Sequence, residues 1–166
     1  MRQAFGYGAI AFAAAALLGA GITAVTPATA QDKAAVVTER EDLMKSNGQY
    51  VYRVIPGYIR SGTGTPEDVA KGAATIVDNF KKIPALFVAG TSTTDMPGKT
   101  KAKPEIWQDK AKFETLAKGT SDLAAALGEA AKTGDKDKIS AAYTTLNRDG
   151  CTACHNQFRA EAPRGG

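Results

Sequence analysis

The sequence predicts an all-α fold, an antiparallel four-helix bundle, and three observations carry that prediction. Four segments place apolar residues at spacings of three and four. No segment sustains the alternation of a strand. The links between helices are short apart from one long crossover, the pattern of an antiparallel bundle.

The bundle is expected to begin after a leader. Met1 to Ala30 reads as an export signal: Arg2 gives a positive start, Ala9 to Ile22 is apolar, and Ala28-Thr29-Ala30 is a small-x-small cleavage site. The apolar stretch is short of the roughly 20 residues a bilayer span needs, and no stop-transfer cluster follows it. An uncleaved anchor is therefore the lesser reading. Residues 31–166 suit one domain with a single core.

The first helix is expected from about Lys33 to Arg60, with Val36, Leu43, Met44, Val51, Val54, Ile55 and Tyr58 on its apolar stripe. Pro56 lies inside it and removes a backbone donor. Because the stripe continues through Tyr58 and Ile59, a kinked helix is expected rather than a stop. After Gly62-Thr63-Gly64, Thr65 reads as an N-cap, Pro66 as the first helical residue, and Glu67 and Asp68 as dipole partners. The second helix carries Val69, Ala73, Ile76, Val77, Phe80 and Ile83 and ends at Pro84, with Leu86 and Phe87 packing just beyond.

Val88 to Lys103 is the longest irregular stretch. Its Lys99, Lys101 and Lys103 read first as a solvated loop and second as a docking patch for an acidic partner. Pro104 and Glu105 open a third helix running to about Thr133, with Ile106, Phe113, Leu116, Ala117, Thr120, Leu123 and Leu127 on its stripe. Gly119 and Gly128 each cost roughly 1 kcal/mol there and are expected to serve close packing. Gly134 stops that helix and Asp135 caps the fourth, which carries Ile139, Ala142, Tyr143, Leu146, Cys151, Cys154 and Phe158 to near Pro163.

The chemistry concentrates in Cys151-Thr152-Ala153-Cys154-His155, which holds the only cysteines and the only histidine of the chain. C-x-x-C-H reads as a c-type haem attachment site: Cys151 and Cys154 form thioethers to one haem c, and His155 offers an axial imidazole. Gly150 is expected where a side chain would obstruct the macrocycle. A disulfide between the two cysteines would be strained within a helix, and no strand leads into it as a thioredoxin-like site requires. A structural zinc site wants four ligands and finds three.

With one histidine, bis-imidazole ligation is excluded. Met1 leaves with the leader, so the sixth position falls to Met44, to Met96 in the loop before Pro97-Gly98, or to nothing. Methionine on a buried stripe is in general more often packing than ligand. Arg40, one turn before Met44 on the same face, needs an anion, and a haem propionate would supply one with charge-assisted bonds. The alternative for Arg40 is a surface salt bridge or a snorkelling side chain. The net charge of +4, to which Arg2 contributes one, is no nucleic-acid footprint, and no basic stripe is interleaved with aromatics.

Cys-x-x-Cys-His on the last helix with Arg-x-x-x-Met on the first resembles the class II cytochromes c, the cytochrome c prime family, over the whole of residues 31–166. Leu43-Met44-Lys45-Ser46-Asn47-Gly48, Pro104-Glu105-Ile106-Trp107, Ala111-Lys112-Phe113 and the placement of Pro56 are most similar to the low-spin cytochrome c-556 branch. The resemblance implies a periplasmic bundle carrying covalent haem c. In the low-spin branch the position of Met44 supplies the sixth ligand; in the high-spin branch it only covers the distal face of five-coordinate iron. Arg159 matches a basic position near the proximal face. The pocket is expected to draw on Arg40, Glu41, Leu43, Phe80, Phe113, Tyr143, Phe158 and Arg159.

Two functions follow as expectations. The first is a one-electron carrier with a His/Met-ligated low-spin haem; the alternative binds nitric oxide or carbon monoxide at five-coordinate iron. No enzyme constellation is recognisable. Expected partners are periplasmic redox proteins and a second copy packed through the first two helices, with Tyr50, Tyr52 and Ile59 as candidate contacts; no nucleic acid is expected.

Overall fold

The computed structural model describes residues 30–161. The expected leader lies outside the described residues except for Ala30. Helix α1 spans Ala30–Gln49 and continues as the π-helical turns Tyr50–Val54 and Gly57–Ser61. Pro56 sits between those turns with helical angles, φ −62° and ψ −34°, so the helix runs through it as expected. A wider i→i+5 turn, such as Ile55 N–H to Tyr50 O, absorbs a local irregularity without ending the helix. Gly62 then stops it at φ 65°, a left-handed conformation open to glycine.

Helix α2, Pro66–Lys82, starts at a reciprocal capping box: Thr65 accepts from the Asp68 N–H and Asp68 accepts from the Thr65 N–H. It tightens into a 3-10 turn, Ile83–Leu86, where Pro84 removes a donor. The expected third helix is two. Helix α3, Glu105–Gln108, is separated from α4, Lys110–Lys132, by Asp109 at φ −128° and ψ 62°. The Asp109 carboxylate accepts from the Lys112 N–H at 3.2 Å, so Asp109 restarts the helix as an N-cap.

The fourth segment is α5, Lys136–Thr145, a π-helical stretch Leu146–Thr152, and α6, Ala153–Phe158. It ends before Pro163, which lies outside the described residues, because Arg159 turns extended and bridges antiparallel to Ala102. The Lys103 N–H donates to Phe158 O at 3.0 Å and the Ala160 N–H to Lys101 O at 2.8 Å. The long loop is thereby pinned beside the cysteine motif.

The main core joins Val51 and Ile55 to Val69, Ala73, Ile76 and Phe80 of α2, to Ala124 and Leu127 of α4, and to Ile139 and Leu146. Each large aliphatic among them contributes about 1.5–3 kcal/mol by leaving water. A second cluster, Ala102, Ile106, Phe113, Cys154 and Phe158, gathers at the cysteine end. Its rings meet edge to face, Phe87–Phe113 at 4.6 Å and Phe113–Phe158 at 5.4 Å between centroids.

Gly150 packs closely against α4. A Cβ there would lie 3.1 Å from Thr120 Cγ2 and 3.3 Å from Thr120 Oγ1, so the glycine admits α4. Gly128 faces Ala73 Cβ at an ordinary 3.5 Å and Gly119 faces open space; close packing does not account for Gly119. No helix among the described residues is long and apolar enough to cross a membrane.

Candidate cofactor site

Cys151 closes in the π-helical stretch and Cys154 lies in the first turn of α6, which brings both thiols and the next residue, His155, to one end of the bundle. The thiols are free, Cys151 half-buried and Cys154 buried. Burial raises both, and with Cys151 beside it the Cys154 thiol is pushed up to about 11. Burial, and then the charge of Arg159, hold His155 below its usual value. At neutral pH His155 is therefore a neutral imidazole with a free lone pair, the form that ligates metal.

A cavity of about 500 Å3 opens against these residues, lined among others by Arg40, Met44, Phe113, Cys154, His155, Phe158 and Arg159. A second space of about 50 Å3 adjoins it, bounded by Met44, Asn47, Val51, Ile76, Phe80, Cys151, Cys154 and His155. Met44 and His155 line both. Met96 lines neither; its N–H donates to Ser92 O at 2.9 Å and its carbonyl accepts from the Lys99 N–H at 3.1 Å, which folds it into the loop.

Arg40 is buried, 3% exposed, which rules out the surface salt bridge and the snorkelling side chain. Its Nη1 donates to Thr91 Oγ1 at 2.8 Å and its Nη2 to Thr91 O at 2.8 Å and Thr100 Oγ1 at 2.6 Å. Its guanidinium also stacks 4.6 Å from the centre of the Phe87 ring. Burial lowers its pKa against the opposing charge of the neighbouring Glu41, and its hydrogen-bond acceptors are all neutral oxygens. No carboxylate pairs with it among the described residues. A buried cation on a cavity wall, hydrogen-bonded only to neutral oxygens, fits an anionic group inside.

The other expected pocket residues divide. Glu41, Phe113, Phe158 and Arg159 line the larger cavity and Phe80 the smaller. Leu43 and Tyr143 pack against the main core instead; the Tyr143 hydroxyl donates to Val51 O at 2.9 Å. Of the three loop lysines, Lys101 lines the larger cavity. Lys103 Nζ donates to Asn156 O at 3.4 Å and Gln157 O at 3.3 Å, which suits a cation at a helix C-terminus.

Sequence reasoning missed Gly48, Tyr52, Phe87, Thr100, Ala102 and Ile106 on the larger cavity wall. Gly48 and Tyr52 follow Met44 at four-residue steps, a signal present in the sequence. Thr100 and Ala102 lie in an aperiodic loop and gave none.

Two thiols and a neutral imidazole on one turn, an aromatic wall and a buried cation fit a covalently held haem. The family model for cytochrome c' matches residues 35–159. A cytochrome c' of Rhodospirillum rubrum is 34% identical over 142 residues, covering 86% of this chain and 93% of that protein. A cytochrome c-556 of Rhodopseudomonas palustris is 30% identical over 146 residues, covering 84% and 93%. The crystal structure of cytochrome c' from Thermochromatium tepidum superposes with a TM-score of 0.69 at 25% identity, over 78% of this chain and 97% of that one.

Proposed function

This chain belongs to the cytochrome c' family, whose cofactor is covalently attached haem c, and from that premise we propose that it carries single electrons through a His/Met-ligated low-spin haem in the periplasm. In this reading Cys151 and Cys154 hold the cofactor, His155 and Met44 are the axial ligands, and Arg40 faces a propionate. The bound haem supplies an iron that cycles between ferric and ferrous. A thioether ligand favours the reduced state and raises the reduction potential. Two permanent ligands, anchored in different helices, keep reorganisation small.

The observation that supports it is the shared lining: Met44 and His155 border the same two cavities, and Met96 borders neither. The partners in this reading are periplasmic redox proteins. A second copy could meet the extension of α1, where Tyr52 is 68% exposed.

One observation favours the second reading, a five-coordinate haem that binds nitric oxide or carbon monoxide. The space of about 50 Å3 beside Met44 has a largely apolar lining and is large enough for one small molecule. Adding carbon monoxide to the ferrous holoprotein separates the two. A carrier with Met44 bound gives an unchanged absorption spectrum; an immediate conversion to a carbonyl spectrum overturns it.

A further inference from the structure

Asn47 follows Met44 by three residues on α1 and borders the smaller cavity. It is 7% exposed, and its Nδ2 is the one buried side-chain polar atom among the described residues without a hydrogen-bond partner. Leaving such a donor dry costs about 1–3 kcal/mol, so its orientation needs a reason.

The orientation is fixed from α2. Asn79 Nδ2 donates to Asn47 Oδ1 at 2.7 Å, and the same nitrogen lies 3.5 Å from Leu43 O and 3.4 Å from Ser46 Oγ. Turning the Asn79 amide would set its oxygen against the Leu43 carbonyl, so Asn79 must present nitrogen and Asn47 must present oxygen to it. The Asn47 N–H groups are then left for the other side.

A water there would want two to four polar partners, and Met44, Val51, Ile76 and Phe80 around that space offer little. In the proposed reading both cysteine sulfurs and His155 are committed to the haem, and Tyr52 is largely in solvent. The structure forms no bond from this amide to sulfur; the acceptor within reach of a side-chain turn is the thioether of Met44, a weak one at a helical spacing that makes side chains neighbours.

We infer that in the haem-loaded protein Asn47 is a positioning residue for Met44, its free amide turning to donate to the Met44 thioether and so setting how firmly that sulfur is held toward the iron. The inference rests on the His/Met reading above. It makes Asn79, Asn47 and Met44 a relay by which α2 orients a ligand carried on α1, as outer-shell groups orient metal ligands elsewhere.

The test uses the ferric holoprotein, titrated with imidazole as a competitor for the Met44 position, with the reduction potential measured alongside. Asn47→Leu removes the donor, and Asn47→Ser keeps a hydroxyl but draws it back from Met44 and Asn79 alike. In both, imidazole is expected to bind about fivefold more tightly, the equivalent of one ordinary hydrogen bond of about 1 kcal/mol, and the potential to fall. Asn79→Leu, which frees the Asn47 amide to turn, shifts both in the same direction by less. Variants that unfold more easily but keep the wild-type imidazole affinity and potential would reduce Asn47 to packing. If instead Met44→Ala leaves the wild-type spectrum unaltered, the ligand assignment itself has failed and the relay with it.

Discussion

Met44 on α1 and His155 on α6 border the same cavity although 110 residues of chain lie between them. Neither helix makes the site alone. In the proposed reading the last fixes the cofactor and one ligand, and the first decides what stands on the other side of the iron.

That division predicts which methionine matters. Met44→Ala is expected to convert a low-spin ferric absorption spectrum to a high-spin one, whereas Met96→Ala leaves it unchanged. The reverse pattern would move the sixth ligand to the loop and remove the main support for the carrier reading.

Gly150 and Thr120 form a second testable pair. Overpacking a close contact costs about 1–3 kcal/mol, and alanine returns up to about 1 kcal/mol of helix propensity over glycine. Gly150→Ala should therefore destabilise the holoprotein by about 1 kcal/mol in denaturant unfolding. Adding Thr120→Ala removes both the 3.1 Å and the 3.3 Å contacts, so Gly150→Ala made in that background should be neutral or stabilising. An equal cost in both backgrounds would place the obstruction elsewhere, as a macrocycle clash would.

Arg40 holds the long loop as well as facing the cavity. Arg40→Leu deprives the buried Thr91 O of its donor and leaves Thr100 Oγ1 with only the Ala102 N–H. At about 1–3 kcal/mol for the one carbonyl left unpaired, the holoprotein should lose about 2 kcal/mol. Hydrogen exchange should quicken across residues 88–103 first. A loss under about 1 kcal/mol, with loop protection intact, would show that the threonines find other partners.

The cap of α5 gives a pH dependence. Asp135 accepts from the N–H groups of Lys138 and Asp137, and these bonds, the first above all, hold its carboxyl below the usual range. A carboxyl whose folded pKa is depressed binds fewer protons than its unfolded counterpart, so its stabilisation is complete above about pH 4, the unfolded value, and fades as pH falls through the lower folded one. Asp135→Ala should lower the thermal midpoint at pH 7 and progressively less as the pH falls through that range. A difference that persists undiminished below both values would mean that the cap acts without its charge.

The bundle was legible because its helices write their period in apolar residues and their ends in Thr65, Pro66, Gly134 and Asp135. The break at Asp109 was written too, as an N-cap residue, but the stripe on either side of it stayed in phase and hid it. The π-helical turns at Tyr50–Val54 and Leu146–Thr152 leave the apolar spacing helical and so left no mark in it. At the site, Cys151, Cys154 and His155 were plain from their motif, and Arg40 from being a cation on an apolar face. Thr91 and Thr100, which satisfy Arg40, lie in a loop without period. The exchange of amide and oxygen between Asn79 and Asn47 depends on two helices meeting, and became visible only in three dimensions.

The central claim is that Met44 completes the coordination of the iron opposite His155. Electron paramagnetic resonance of the ferric holoprotein at neutral pH measures the spin state directly. A low-spin signal that gives way to a high-spin one on Met44→Ala is the predicted result. A high-spin signal from the unaltered protein would contradict the claim and leave Met44 as a cover over an open position.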